Sequence, residues 1–147
     1  YRNRGDGSFE PWPDGDVDPD AGYGFAVLAF DCDEDGRPEI YVANDSNINL
    51  LYRRTENGGL EDHALFGGSG YSGDGREQAG MGVTAADFDE DGRLDLFVTN
   101  FQNDHNTLYR NLGGCTFEDA TAARGLAASS FPFMGWAAHF LDSDGDG

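Results

Sequence analysis

A short acidic pattern that recurs at nearly constant spacing constrains this chain more than any other feature. The sequences DCDEDG, DFDEDG and DSDGDG begin at Asp31, Asp87 and Asp142, which lie 56 and 55 residues apart. A second marker, a Tyr-Arg pair followed by a glycine-containing turn, recurs in the same order as YRNRGDGSFE, YRRTENGGLE and YRNLGGCTFE. Self-similarity at a fixed period is typical of repeat architectures, so the chain is read as tandem copies of one unit.

Each complete unit contains four short segments that are rich in β-forming residues and bounded by turn residues. They are VLAF, EIYVA, NLLYRR and LEDHA in one unit, and VTAA, LDLFV, TLYRN and TFEDA in the next. No helical periodicity of comparable strength competes, although ATAARGLAA after Asp119 is compatible with a turn or short helix. Four strands in a period of about 55 residues predict an all-β fold of β-propeller blades, which bury their faces by stacking on one another.

The repeat also sets the extent of the domain. The units are roughly residues 1–24, 25–80, 81–133 and 134–147, which gives two strands, two complete units and one further strand. Propellers close with about 4–8 blades. We therefore expect residues 1–147 to form a partial propeller domain, with the remaining blades of the ring outside this chain.

The acidic pattern itself predicts a cation site in each unit. In Asp-x-Asp-x-Asp-Gly the alternating carboxylates point towards one place, and the glycine permits a sharp turn around an ion. Position 9 adds a fourth carboxylate, and position 7 offers a main-chain carbonyl. Ligands that are all oxygen select a hard ion, calcium before magnesium. The predicted metal ligands are Asp31, Asp33, Asp35, Arg37, Glu39, Asp87, Asp89, Asp91, Arg93, Asp95, Asp142, Asp144 and Asp146.

Two other interpretations of the acidic pattern are weaker. An EF-hand needs flanking helices and a glutamate at position 12, but position 12 is Val42 or Val98, inside predicted strands. Ordinary acidic turns are the simpler alternative, because Asp and Gly favour turns. Three such loops in register would however repel themselves without a cation, so calcium is favoured.

Charge excludes some classes of partner. The chain has 28 acidic residues against nine basic ones, all arginine, and a formal net charge of −19. Such a surface is a poor partner for nucleic acid or an anionic membrane, and no apolar run approaches the ~20 residues of a membrane span. We expect the arginines that follow the repeated tyrosines, Arg2, Arg53 and Arg110, to pair with acidic groups.

Several smaller features receive simple interpretations. Cys32 and Cys115 occupy non-equivalent repeat positions, so both are expected to be free thiols. The tripeptide Arg4-Gly5-Asp6 falls in a predicted hairpin turn, which explains it without ligand mimicry. The alternating acidic residues near the amino terminus are expected to lie in a solvated loop; they are Asp14, Asp16, Asp18 and Asp20. The three histidines share no repeat position, so no common metal or catalytic role is expected for them; they are His63, His105 and His139.

The sequences GMGVTAADFDEDGRLDLFVTN and LYRNLGGCTFEDATAARGL resemble the FG-GAP/VCBS repeats of integrin-α-like propellers. The closest similarity is to bacterial proteins that resemble cartilage acidic protein and often carry an ASPIC/UnbV region, which does not occur within these 147 residues. The resemblance covers essentially the whole chain. It implies a seven-bladed ring with calcium in the strand-connecting loops, bound here by the aspartates and glutamate named above.

These features together predict a binding module. No nucleophile elbow, zinc motif or phosphate loop occurs in the sequence. We expect a calcium-binding scaffold, secreted or at the cell surface or in the periplasm, that binds a protein or carbohydrate ligand and is not an enzyme in this segment. The alternative is the propeller domain of a secreted polysaccharide-degrading enzyme whose catalytic residues lie outside this chain. A calcium sensor is disfavoured, because stacked repeats favour a single conformation.

Overall fold

The computed structural model describes residues 1–11, 17 and 21–145. Within them the chain is all-β, as predicted, with antiparallel sheets and two helices of a single turn. No helix in this part of the chain is long and apolar enough to cross a membrane. The elements are β1 (Arg2–Asn3), β2 (Phe9–Glu10), β3 (Gly24–Phe30), β4 (Glu39–Asn44), β5 (Leu50–Arg54), β6 (Leu60–Asp62), α1 (Ala64–Gly67), β7 (Gly80–Ala86), β8 (Asp95–Asn100), β9 (Thr107–Gly113), β10 (Thr116–Asp119) and α2 (Ala127–Ser130).

Two sheets have the four-stranded plan expected of a propeller blade. The first blade, β3 to β6, and the second blade, β7 to β10, each follow the order of the sequence from one edge to the other. All neighbours are antiparallel, so short hairpins join them. The strands β1 and β2 form a separate two-stranded hairpin. The four strands predicted for each complete unit are thus confirmed.

The two blades stack face to face around one apolar core. The first blade contributes alternate residues of β3 and β4, and the second blade contributes residues from the opposite face of its sheet, because Leu96 and Val98 of β8 correspond to Ile40 and Val42 of β4. These side chains face inward because a strand turns successive residues to opposite sides of its sheet. The central members, all at most 5% exposed, are Phe30, Tyr41, Ala43, Leu51, Leu96, Val98, Tyr109 and Phe117.

The structure corrects the expectation that the cysteines are free. Cys32 and Cys115 form a disulfide, with Cα atoms 5.0 Å apart although 83 residues separate them in sequence. Cys32 lies in the loop between β3 and β4, and Cys115 lies in the turn between β9 and β10. Comparing repeat positions failed here because stacking places non-equivalent positions of adjacent blades next to each other.

The strand expected before the third acidic pattern is also not found. Residues 134–141 contain no strand, because β3 and β7 are held by β4 and β8, and no strand among the described residues after Leu141 offers such a partner. The segment instead lies against the second blade: the amide of Gly135 donates to the carbonyl of Asn100 at 2.9 Å. The Thr99 hydroxyl donates to the carbonyl of Trp136 at 2.7 Å.

Candidate metal centres

The two complete acidic loops occupy the same place in their blades. Each joins the first two strands, so position 1 follows directly on a strand and position 9 begins the next one. Position 9 is paired across the hairpin with the last residue of the preceding strand: Glu39 with Phe30, and Asp95 with Ala86. This register returns the position-9 carboxylate to the start of its own loop.

The backbones of the two loops follow the same path. Position 4 has a positive φ in both, 63° at Glu34 and 59° at Glu90. Position 6 is again left-handed, with φ of 84° at Gly36 and 90° at Gly92. Glycine adopts this conformation without the steric cost that a Cβ imposes. The shared path is the turn that the Asp-Gly pattern predicts.

Position 1 closes each loop through two hydrogen bonds. The Asp31 carboxylate accepts from the amides of Asp35 and Gly36 at 3.1 and 2.9 Å. The Asp87 carboxylate accepts from the amides of Asp91 and Gly92 at 3.0 and 2.8 Å. These bonds to the charged form order both loops around the first aspartate.

Three carboxylates converge in each loop. Oxygen atoms of Asp31, Asp33 and Glu39 lie within 4.8 Å of one another, as do those of Asp87, Asp89 and Asp95. The position-5 residues do not belong to these groups. Each accepts from the amide at position 7 of its loop, at 2.8 Å in the first loop and 3.1 Å in the second. The converging set is therefore positions 1, 3 and 9.

Arginines bind the outer oxygens of the loops. Arg53 donates to Oδ2 of Asp33 at 2.8 Å, and Arg110, at the equivalent repeat position, donates to Oδ2 of Asp89 at 2.6 Å. The predicted pairing of these two arginines with acidic groups is thereby confirmed. In the second loop Oδ2 of Asp91 contacts both Arg93 and Arg110. Together with the Arg93 amide, these contacts engage both oxygens of the Asp91 carboxylate.

The chemistry of the converging oxygens fits a cation. Oδ1 of Asp89 is buried and has no hydrogen-bond partner among the residues that the structure describes, although a buried acceptor of this kind is nearly always satisfied. Burial, followed by repulsion from the loop aspartates, raises the pKa of the Glu39 and Asp95 carboxyl groups, against the backbone hydrogen bonds that lower it. A hard cation at positions 1, 3 and 9 would satisfy the oxygen and offset the repulsion.

The other predicted ligands that the structure describes lie outside the two converging groups. Arg37 and Arg93 each donate their amide to the position-5 carboxylate, and their carbonyls stay predicted ligands. In the third loop Asp142 accepts from the amide of Gly145 at 2.7 Å, and Gly145 is left-handed at position 4, as in the complete loops. Asp144 is exposed. Asp146 and the alternating Asp14, Asp16, Asp18 and Asp20 lie outside the described residues.

Two other side-chain groups are better explained without a metal. The sulfurs of Cys32 and Cys115 also lie near Glu39, but disulfide sulfurs are not thiolate ligands. In the β1–β2 turn, Asp6 accepts from the amide of Ser8 at 2.9 Å and Arg4 pairs with Glu10 at 2.8 Å. These local bonds agree with the turn interpretation of the Arg-Gly-Asp tripeptide.

The comparisons with known proteins agree with this geometry. A family profile described as FG-GAP-like repeat matches residues 1–42, 31–98 and 87–147, which together span the chain. Successive matches overlap at residues 31–42 and 87–98, which contain the two complete acidic loops. No curated protein matches the chain, and the closer similarity to ASPIC/UnbV proteins stays a prediction. The chain belongs to the FG-GAP-like repeat family, whose repeats form β-propeller scaffold domains.

Proposed function

We propose that this chain is a calcium-stabilised, extracellular propeller scaffold that binds a protein or carbohydrate ligand and is not catalytic in this segment. The observation that carries the calcium proposal is the agreement of two loops 56 residues apart. Both have the same left-handed positions, the same amide contacts and the same three converging carboxylates. Agreement at this level is expected of a repeated binding site and is not required of a solvated turn.

Calcium suits these loops better than other divalent ions. The donors are carboxylate oxygens, which favour calcium, magnesium and manganese over softer metals. Magnesium demands a near-ideal octahedron and retains its water, whereas calcium accepts six to eight oxygens in irregular geometry. Positions 1, 3 and 9 would hold the ion, and the bound ion would connect the two strands that each loop joins.

The disulfide and the expected affinity support a location outside the cytoplasm. Disulfides persist in oxidising compartments and are rare in the cytosol. Calcium sites of extracellular modules have dissociation constants of about 10⁻⁴–10⁻³ M. A secreted, cell-surface or periplasmic location would supply both conditions.

The proposed scaffold role rests on the positions of the loop carboxyl groups whose pKa is raised. The two acidic groups with a raised pKa in the loops, Glu39 and Asp95, are the same ones that converge with aspartates on a cation position. A perturbed pKa in an ion-binding or structural network is not evidence of acid or base catalysis. Ligand recognition therefore belongs to the propeller surface.

Thermal unfolding in chelator and in rising calcium tests the proposal. An ion that binds only the folded chain stabilises it by about 2.7 kcal/mol per site at 100 times its dissociation constant. We expect the unfolding temperature to rise in millimolar calcium, to change little in micromolar calcium and to rise less in magnesium. Equal unfolding temperatures in chelator and in several millimolar calcium would contradict calcium binding.

A further inference from the structure

The two complete acidic loops differ at position 2. In the second loop this residue is Phe88, whereas in the first loop it is Cys32, bonded to Cys115 of the second blade. The carbonyl of Cys32 also accepts a hydrogen bond from Nδ2 of Asn111, in β9 of the second blade, at 2.9 Å. The disulfide and the Asn111 side chain thus hold the first loop to the neighbouring blade. We call these two contacts the interblade clamp.

The clamp contacts the position-9 ligand of the first loop. The amide of Cys32 donates to Oε2 of Glu39 at 3.0 Å. The sulfurs of Cys32 and Cys115 lie 3.2 and 3.7 Å from the same oxygen. Because the sulfurs of a disulfide carry no hydrogen, these are packing contacts. They surround one side of a carboxylate that is 4% exposed, and so restrict where Glu39 can point.

The second loop holds its position-9 ligand with two main-chain donors of its own blade. Oδ1 of Asp95 accepts from the amide of Asn111 at 2.7 Å, and Oδ2 accepts from the amide of Phe88 at 3.1 Å. Both donors belong to the second blade or its own loop. The same function is therefore performed within one blade in the second loop and across two blades in the first.

We infer that the interblade clamp positions Glu39 for the cation, so that the affinity of the first loop depends on the second blade and that of the second loop does not depend on the first. This inference rests on the proposed calcium binding. Groups that orient a metal ligand typically change metal affinity by about 10–100-fold when removed. The clamp would act in this way on one loop only.

The test removes the disulfide in two backgrounds that isolate the loops. Asp89→Ala disables the second loop, and the equivalent Asp33→Ala disables the first. In each background the Cys32→Ala/Cys115→Ala pair is added, and calcium binding is measured by isothermal titration calorimetry. We expect the dissociation constant of the first loop to rise about tenfold or more. That of the second loop should change less than about twofold, because its position-9 bonds remain.

The Asp33→Ala background, in which only the second loop is intact, also serves as a folding control. Unchanged calcium binding in that background requires an intact second blade. If the chain without its disulfide does not fold, Asn111→Ala provides the test. It keeps the disulfide and the main-chain amide that binds Asp95, but removes the hydrogen bonds to the carbonyls of Cys32 and Leu94. A larger loss of affinity at the first loop than at the second supports the inference.

The outcomes separate the two proposals. If the unmodified protein binds calcium and removal of the clamp weakens neither loop, or weakens both equally, the positioning role is wrong while calcium binding stands. If the unmodified protein binds no calcium at either loop, the proposed function fails and the positioning role fails with it.

Discussion

The two oxygens of the Asp89 carboxylate have different surroundings. Its Oδ2 accepts a hydrogen bond from Arg110 at 2.6 Å, whereas its Oδ1 is buried and has no partner in the described part of the chain. An unsatisfied buried acceptor costs about 1–3 kcal/mol, and more when it is charged. Asp33 is the equivalent residue of the first loop, and it accepts a hydrogen bond from Arg53, which occupies the same repeat position as Arg110. The arginine neutralises the outer oxygen, and the proposed cation would bind the inner one.

Removing the charge at position 3 should therefore remove part of the stabilisation by calcium. We expect Asp89→Asn and Asp33→Asn each to lose one site's share of the calcium-dependent gain in unfolding free energy, about 2–3 kcal/mol at saturating calcium. Asp74→Asn is the matched control, since Asp74 is an exposed carboxylate paired with Arg76 and Ser72 outside the loops. Urea unfolding with and without calcium measures the gain. If the loop variants keep the full gain of the unmodified chain, position 3 is not a ligand.

The strands were predictable from sequence where each one has its partner nearby in the chain. Short segments rich in β-forming residues and bounded by turns predicted all four strands of both blades, because hairpin pairing is local. The stretch from Met134 to Leu141 has the composition of β3 and β7, yet forms no strand. The pairing of Cys32 with Cys115 was missed for a related reason. Which residues meet across stacked blades depends on tertiary geometry, which a repeat alignment does not contain.

In the acidic loops, too, the sequence pattern predicted local geometry better than contacts between strands. The Asp-Gly pattern predicted their turn and the convergence of the carboxylates at positions 1, 3, 5 and 9, of which those at positions 1, 3 and 9 lie together. It did not predict that Asp91 would be held by Arg93 and Arg110, because the guanidinium of Arg110 arrives from β9, a different strand of the blade. In the second loop, local spacing specifies which carboxylates are available, whereas a residue of a neighbouring strand takes part in binding one of them.

The contact between the second blade and residues 134–141 depends on a glycine. A Cβ at Gly82 would lie 1.8 Å from the main-chain oxygen of Trp136, which cannot move as a side chain does. We expect Gly82→Ala to displace this segment and to break the hydrogen bond from the Gly135 amide to Asn100. Faster hydrogen exchange at the Gly135 amide would report the loss. Gly24→Ala is the control, because it lies in β3 without a positive φ and its Cβ would meet a side-chain atom of Val42 at 3.1 Å, not main chain. Unchanged exchange in Gly82→Ala would contradict this contact.

At the scale of the whole molecule, the two faces of the first blade differ: one is joined to the second blade, and the other exposes apolar side chains. The disulfide, the Asn111 hydrogen bond and the shared core join the two blades. The other side of the first blade has large apolar side chains in solvent: along β3, Phe25 is 51% and Val27 69% exposed, and Tyr23 just before it is 76% exposed. In a closed propeller each blade packs against a neighbour on both faces. The 147-residue chain by itself therefore presents a surface suited to further β-structure.

This surface should make the isolated chain associate with itself. β3 is an edge strand of its sheet, and an apolar edge strand in solvent is a template for pairing with another copy. We expect sedimentation velocity to show concentration-dependent association that Val27→Lys reduces, because a charge at that position opposes burial. Leu65→Lys adds the same charge at another exposed apolar residue, in α1, and should have a smaller effect. A chain that stays monomeric at all concentrations, or an equal response to the two lysines, would show that β3 is not the contact surface.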